Sequence, residues 1–128
     1  MNRIRDIQHR RQRAHGRWLE MKSKVYEAFL VLEAAAFADG ALPRRQKELI
    51  AVGISVAHDC ESCLEWHIRQ AARVGATQRE VLEAVEVGIE MAGGPATVAA
   101  RFALEVMDDV YGAPEHNAGR VVQMRAAF

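Results

Sequence analysis

Cysteine is scarce in this chain, with two residues among 128. A framework of several disulfides is therefore excluded, and a buried core must supply the stability. Proline is equally rare: Pro43, Pro95 and Pro114 are the only three, and none falls inside an apolar helical pattern. No run of about 18 apolar residues occurs, so no membrane span is expected. Residues 1–24 are polar and basic, without the apolar stretch of a secretion signal. A cytoplasmic, reducing setting is the expectation, and there paired cysteines tend to be catalytic or metal-binding.

Half of the residues are apolar, enough for a single domain with a real core. Formal net charge is zero, but the charges are segregated. Eight basic residues against Asp6 and Glu20 give residues 1–24 a charge of +6, leaving −6 for the rest. Such a segment can stay solvated, dock on an acidic partner subunit, or serve as an arm for nucleic acid or a membrane surface. With no aromatic interleaving beyond Trp18 and no reading motif, neither a nucleic-acid nor a membrane partner is expected. The organisation read from this pattern is a basic arm over 1–16, a helical domain over 17–112 and a tail over 113–128.

The domain reads as all-α, in five or six helices around a central antiparallel hairpin. A first helix is expected from about Arg17 to Phe37, ended by Asp39-Gly40. Pro43 is placed to start the second, which runs to about Ala57 and is apolar nearly all round, hence buried on most sides. Asp59 is a plausible N-cap for a third helix from Cys60 to Val74, with Gly75 as its stop. Thr77-Gln78-Arg79-Glu80 is a capping box that opens the fourth. Gly93-Gly94-Pro95 breaks that helix and starts a fifth over Ala96 to Tyr111.

The two cysteines form Cys60-Glu61-Ser62-Cys63. A disulfide that closes so short a loop adds little stability, because stabilisation grows with loop length. The spacing suits a dithiol that opens and closes in a reaction, or half of a metal site. Cys60, Cys63, Leu64, His67, Ile68 and Ala71 share one helical stripe, turned to the interior, with Glu61, Glu65, Arg69 and Arg73 off it. The first turn of a helix stabilises a thiolate, and His67, one turn beyond Cys63, is the candidate base. Glu48 lies about 13 Å up the second helix, and His67 about 10 Å along the third. In a hairpin the two come level, where a carboxylate could orient the imidazole.

Glu48, Cys60, Cys63 and His67 at these spacings resemble the signature of the alkylhydroperoxidase AhpD-like branch of the carboxymuconolactone decarboxylase family. The likeness runs from about Pro43 through Gly93-Gly94-Pro95 into the following helix. It implies an all-helical domain assembled as a homo-oligomer, typically a trimer or hexamer. It further implies that Cys63 attacks a hydroperoxide and becomes a sulfenic acid, that Cys60 donates a proton and resolves this into a disulfide, and that Glu48 and His67 relay protons. No tightly bound cofactor is implied. Reducing equivalents would come from a lipoamide-like or thioredoxin-like dithiol carrier, with a peroxiredoxin as a possible partner. Well-studied peroxidases of this branch are longer, doubled helical units and carry a histidine just before the second cysteine. Here that position is Ser62, which cannot take a proton near neutral pH.

Two rival functions use the same residues. In one, Cys60, Cys63 and His67 bind zinc, with Glu48 or His58 as the fourth ligand. In the other, the chain is a non-catalytic helical interaction module and both cysteines are dispensable.

Overall fold

The computed structural model describes residues 2–113 and contains six helices among them. They are α1 (Arg3–Glu20), α2 (Lys24–Phe37), α3 (Arg44–Ala57), α4 (Glu61–Arg73), α5 (Gln78–Ala92) and α6 (Ala96–Tyr111). The fold is all-α. Of the expected C-terminal tail, residues 114–128 lie outside the described residues.

Where local chemistry is strong, the helices begin and end as expected. Thr77 Oγ1 accepts the Glu80 N–H and the Glu80 carboxylate accepts the Thr77 N–H, closing both arms of the capping box that opens α5. Gly75 follows α4 at φ +93°, a conformation that costs glycine nothing. Pro43 precedes the first turn of α3, where its missing N–H removes no helical bond.

Two expectations at helix ends are corrected. The helix expected over Arg17 to Phe37 is split at Met21-Lys22-Ser23. Lys22 turns the chain at φ +53°, and Ser23 Oγ caps α2 by accepting the Tyr26 N–H. Residues 3–16, read as an arm, form the larger part of α1, with Asn2 as its N-cap and Ile4 buried. Second, the N-cap of α4 is Cys60, not Asp59. Asp59 takes φ +52° to reverse the chain after α3, and its neighbour is left extended with Sγ over the first turn. The Cys60 N–H donates back to Ser55 O (3.1 Å), which tightens the reversal.

Packing is centred on the α3–α4 hairpin, with α5 against α3 and α6 against α4. α3 contributes Val52 and Val56, α4 contributes Leu64, Ile68 and Ala71, α5 contributes Val81 and Val85, and α6 contributes Phe102, Ala103, Val106 and Met107. The alternation of small and large residues lets α3 and α5 cross at backbone contact. A Cβ added at Gly88 would stand 2.5 Å from Gly53 O. α3 was expected to be buried on most sides, yet Ile50 and Ile54 are each 52% exposed. In the single chain α3 is covered mainly on the side toward α4, α5 and α6. α2 has no buried residue and presents Val25, Phe29, Val31 and Leu32 to the surface.

Candidate functional site

Cys60 and Cys63 are joined by a disulfide at the N-terminal turn of α4. Cys60 Sγ also accepts the Cys63 backbone N–H at 3.2 Å, so one sulfur serves as helix cap and bond partner together. The free N–H groups and positive dipole end of α4 surround the pair and favour negative charge on sulfur when the bond is open.

The hairpin brings Glu48 and His67 together. His67 Nδ1 lies 2.8 Å from Glu48 Oε2. A carboxylate only accepts, so Nδ1 carries the proton and Nε2 is left as the imidazole's free acceptor. Glu48 is 1% exposed, an uncommon place for a carboxylate that has no partner. Its second oxygen is met by Arg44 Nε at 3.5 Å, one turn earlier on α3. Arg44 in turn donates to Gln70 Oε1 on α4 (3.3 Å). The His67 side chain stays 19% exposed, enough to be reached from outside. Phe37 at the end of α2 stacks on its ring at a centroid distance of 5.3 Å, fixing the imidazole plane from the other side.

Cys63 and His67 face an open cavity of about 560 Å³ lined by α1, α2 and α4. Phe29, Leu30, Phe37 and Trp66 make its walls largely apolar. At its rim, His15 on α1 meets Tyr26 Oη on α2 at 2.5 Å, and Trp18 stacks on Tyr26. The stripe expected on α4 divides along its length. Leu64, Ile68 and Ala71 enter the core, while Cys60, Cys63 and His67 are partly buried, the latter two lining the cavity.

Glu65 was expected to lie off the buried stripe and is instead 1% exposed. It receives Gln8 Nε2, Arg11 Nη1 and Arg69 Nε, each at 2.9 Å. Burial alone would raise its pKa. The donors from Gln8, Arg11 and Arg69 more than reverse this, and the carboxyl is held below its ordinary 4.5. Arg69 is only partly buried; desolvation would lower its pKa, but Asp109 on α6 (2.7 Å) and Glu65 hold its charge and raise it. Arg11 spans the gap to the cysteines. Its Nη2 donates to Ser62 O (2.8 Å) and lies 3.2 Å from Ser62 Oγ, and its guanidinium rests on the Trp66 ring.

Sequence reasoning missed Arg11, Arg44, Phe37 and Glu65. The i, i+4 spacing of Arg44 and Glu48 was the one local signal available. Ser62 occupies the position just before Cys63 and makes its contact with Arg11 rather than with the Glu48–His67 pair. Among the described residues, with Cys60 and Cys63 joined as a disulfide, no cluster of three or more His, Cys, Asp or Glu side chains is placed to hold a metal ion. No described helix is long and apolar enough to cross a membrane.

The site can be set beside known proteins. An uncharacterized protein of the cox locus of Paracoccus denitrificans is 43% identical over 91 residues, covering 71% of this chain and 82% of its own. An uncharacterized protein of Cupriavidus necator is 42% identical over 81 residues, 63% of this chain and 72% of its own. Among solved structures, a carboxymuconolactone decarboxylase family protein of Legionella pneumophila superposes with a TM-score of 0.81 at 28% identity, over 88% of this chain and all of that one. A Thermotoga maritima protein of that family shares the fold, with a TM-score of 0.73 at 20% identity over 80% of this chain and 87% of its own. The family's sequence profile matches residues 23–106, from the cap of α2 into α6, and includes Glu48, Cys60, Cys63 and His67. With that match added to the helical hairpin and its cysteine pair, the chain belongs to the carboxymuconolactone decarboxylase family.

Proposed function

We propose that the chain is a thiol-dependent peroxidase or disulfide oxidoreductase of the AhpD-like kind, working through Cys63 and Cys60. The observation that carries this is a disulfide at a helix N-terminus, beside a histidine whose free nitrogen is oriented by a buried carboxylate. In the reduced protein, His67 Nε2 takes the Cys63 proton. The thiolate attacks the terminal oxygen of a hydroperoxide, the O–O bond breaks, and the proton passes to the departing alkoxide to give the alcohol. Cys60 then attacks the Cys63 sulfenic sulfur, releasing water and forming the disulfide. A dithiol carrier of the lipoamide or thioredoxin type returns two electrons and leaves as its own disulfide.

The apolar cavity walls suit an organic hydroperoxide better than hydrogen peroxide. The Thermotoga maritima relative has been suggested to take part in an antioxidative response, in keeping with this chemistry. A homo-oligomer, trimeric or hexameric, is part of the same proposal. It would cover the exposed apolar residues of α2 and the groove of about 640 Å³ between α3 and α5, where Ile50, Ile54, Val87 and Met91 are open. A cytoplasmic site of action and a peroxiredoxin partner belong to it as well.

The test is intact mass of the reduced protein after a brief exposure to one equivalent of an organic hydroperoxide. The expected result is a loss of two hydrogens, reversed by a dithiol. Cys63→Ser abolishes peroxide consumption, and Cys60→Ser accumulates a sulfenic acid. An unchanged mass, or equal activity in all three proteins, overturns the proposal.

A further inference from the structure

Redox function at the cysteine pair leaves Arg11 without a task. It stands in α1, outside residues 23–106 that match the family, yet it makes the most direct link between a buried charge and the disulfide turn. Glu65, on the second turn of α4, accepts Nη1 of its guanidinium at 2.9 Å. Nη2 on the other side donates to the Ser62 carbonyl at 2.8 Å. That carbonyl belongs to the Ser62–Cys63 peptide, whose N–H donates to Cys60 Sγ at 3.2 Å. A continuous donor–acceptor chain thus runs Glu65, Arg11, Ser62 C=O, Cys63 N–H, Cys60 Sγ.

We infer that Arg11 is a positioning residue for the redox pair: by donating to the Ser62 carbonyl it polarises the peptide that caps Cys60, and so stabilises the Cys60 thiolate of the reduced protein. This rests on the redox reading of the site given above. Two physical effects act in the same direction. Hydrogen bonds in series strengthen one another, because electron density drawn toward the carbonyl oxygen leaves the N–H more positive. The guanidinium charge also stands beside the turn, and both Arg11 and Cys63 border the apolar cavity, where screening is weaker than in water. In the disulfide, Cys60 Sγ is neutral and gains little from either effect. In the dithiol form it is the acceptor that gains most.

The consequence falls on the electron-transfer step. A dithiol reductant gives two electrons to the Cys60–Cys63 bond and leaves as its own disulfide. Cys63 takes up one proton, the other goes to solvent, and Cys60 remains as thiolate. Stabilising that thiolate makes the disulfide easier to reduce. The same thiolate is the nucleophile that resolves a Cys63 sulfenic acid, so Arg11 serves both the closing and the reopening of the bond. Gln8, one turn earlier on α1, donates to the same carboxylate and keeps Glu65 aimed at the fork.

The experiment is the equilibrium between the full-length protein and a dithiothreitol redox buffer, read by alkylation and intact mass, for wild type, Arg11→Gln, Arg11→Lys and Arg3→Gln. Helix content is checked by circular dichroism. Arg11→Gln is expected to lower the equilibrium constant for reduction by roughly three- to tenfold. Arg11→Lys keeps the charge but not the fork, and is expected to lose roughly two- to threefold. Arg3→Gln removes the ion pair to Glu61 and the contact with Phe102 without touching the donor chain and, because Glu61 lies between the two cysteines, is expected to shift the constant through charge alone and by less than Arg11→Gln. If Arg11→Gln loses helix content, Arg11→Lys decides alone, and a constant equal to wild type overturns the inference. A folded Arg11→Gln equal to wild type overturns it too, as does an equal shift in Arg3→Gln. A wild-type disulfide that dithiothreitol does not open overturns the redox function along with it.

Discussion

Glu48→Gln separates the orienting carboxylate from a merely structural one. The change keeps shape and volume but leaves one acceptor oxygen between the His67 Nδ1 donor at 2.8 Å and the Arg44 guanidinium, an ion-pair contact at 3.5 Å. Arg44 is a fixed cation and draws the amide oxygen to its side. The amide NH2 then faces His67, which must shift its proton to Nε2 and lose its free acceptor. In the other orientation His67 keeps its tautomer, but a charge-assisted bond becomes a neutral one about half as strong. Hydrogen bonds to charged groups contribute about 1.5–3 kcal/mol, and about 1.4 kcal/mol is a factor of ten in rate. The expected loss in the rate of Cys63 oxidation is therefore about 10- to 100-fold. Unfolding does not account for such a loss. Arg44 is 43% exposed, so water solvates it once the Glu48 charge is gone, and the stability lost is mainly that of the His67 hydrogen bond, about 1.5–3 kcal/mol. A domain stable by about 5 kcal/mol or more remains folded after losses of that size. The assay is stopped-flow single turnover of the reduced protein with an organic hydroperoxide, with a thermal melt alongside. A rate within twofold of wild type, in a folded variant, refutes the orienting role.

Two further outcomes test the packing around the site. Because the Glu65 carboxyl is held below 4.5, its network adds stability above that pH and loses it as pH falls through the folded value. Wild type should lose melting temperature steeply below about pH 4.5, whereas Glu65→Gln should start about 1.5–3 kcal/mol less stable at pH 7 and show a shallower acid limb. Parallel acid limbs in melts from pH 3 to 7 would contradict this. Gly88→Ala gains about 1 kcal/mol of helix propensity, yet its Cβ would stand 2.5 Å from Gly53 O and 2.9 Å from Val56 Cβ. Backbone cannot swing aside, so overpacking of about 1–3 kcal/mol or more should win, and urea unfolding should show net destabilisation. Equal or higher stability would mean that α3 and α5 separate without cost.

Legibility followed the range of the interactions involved. The starts of α3, α5 and α6 are written in adjacent residues, Pro43, the Thr77–Glu80 box and Gly93-Gly94-Pro95, and each lies where the sequence places it. The break between α1 and α2 is not written that way. It uses Lys22 at positive φ, where glycine would have announced the turn, and a Ser23 cap with Tyr26 rather than Glu three residues on. Similarly, the eye takes Asp59 as a helix cap because Asp usually is one, but a chain that must reverse within two residues needs a left-handed position, and Asp tolerates it. The cap then falls to the next residue, whatever its type. Here it is Cys60, so the tight reversal places a sulfur at the helix N-terminus.

The same distinction explains the candidate site. Glu48 and His67 could be paired in advance because a hairpin converts sequence distance into height, and both lie within ten residues of the turn. Glu65 could not. Periodicity assigns a face to a residue but says nothing of what covers that face, and the cover comes from Gln8 and Arg11, 57 and 54 residues earlier. The charge segregation of the sequence was visible, yet its sign alone suggested a solvated or docking arm. What distinguishes α1 from an arm is that its apolar residues Ile4 and Ile7 sit one turn apart and on the same side as Gln8 and Arg11. Ile4 and Ile7 seat the helix on the core, and the polar pair is thereby carried to a carboxylate that could not be buried alone. Burying Glu65 without Arg11 and Arg69 would cost several kcal/mol, and placing Arg11 against Trp66 without Glu65 would strand a cation. Each makes the other's position tenable, so the basic segment and the acidic remainder are complementary halves of one packed contact between α1 and α4.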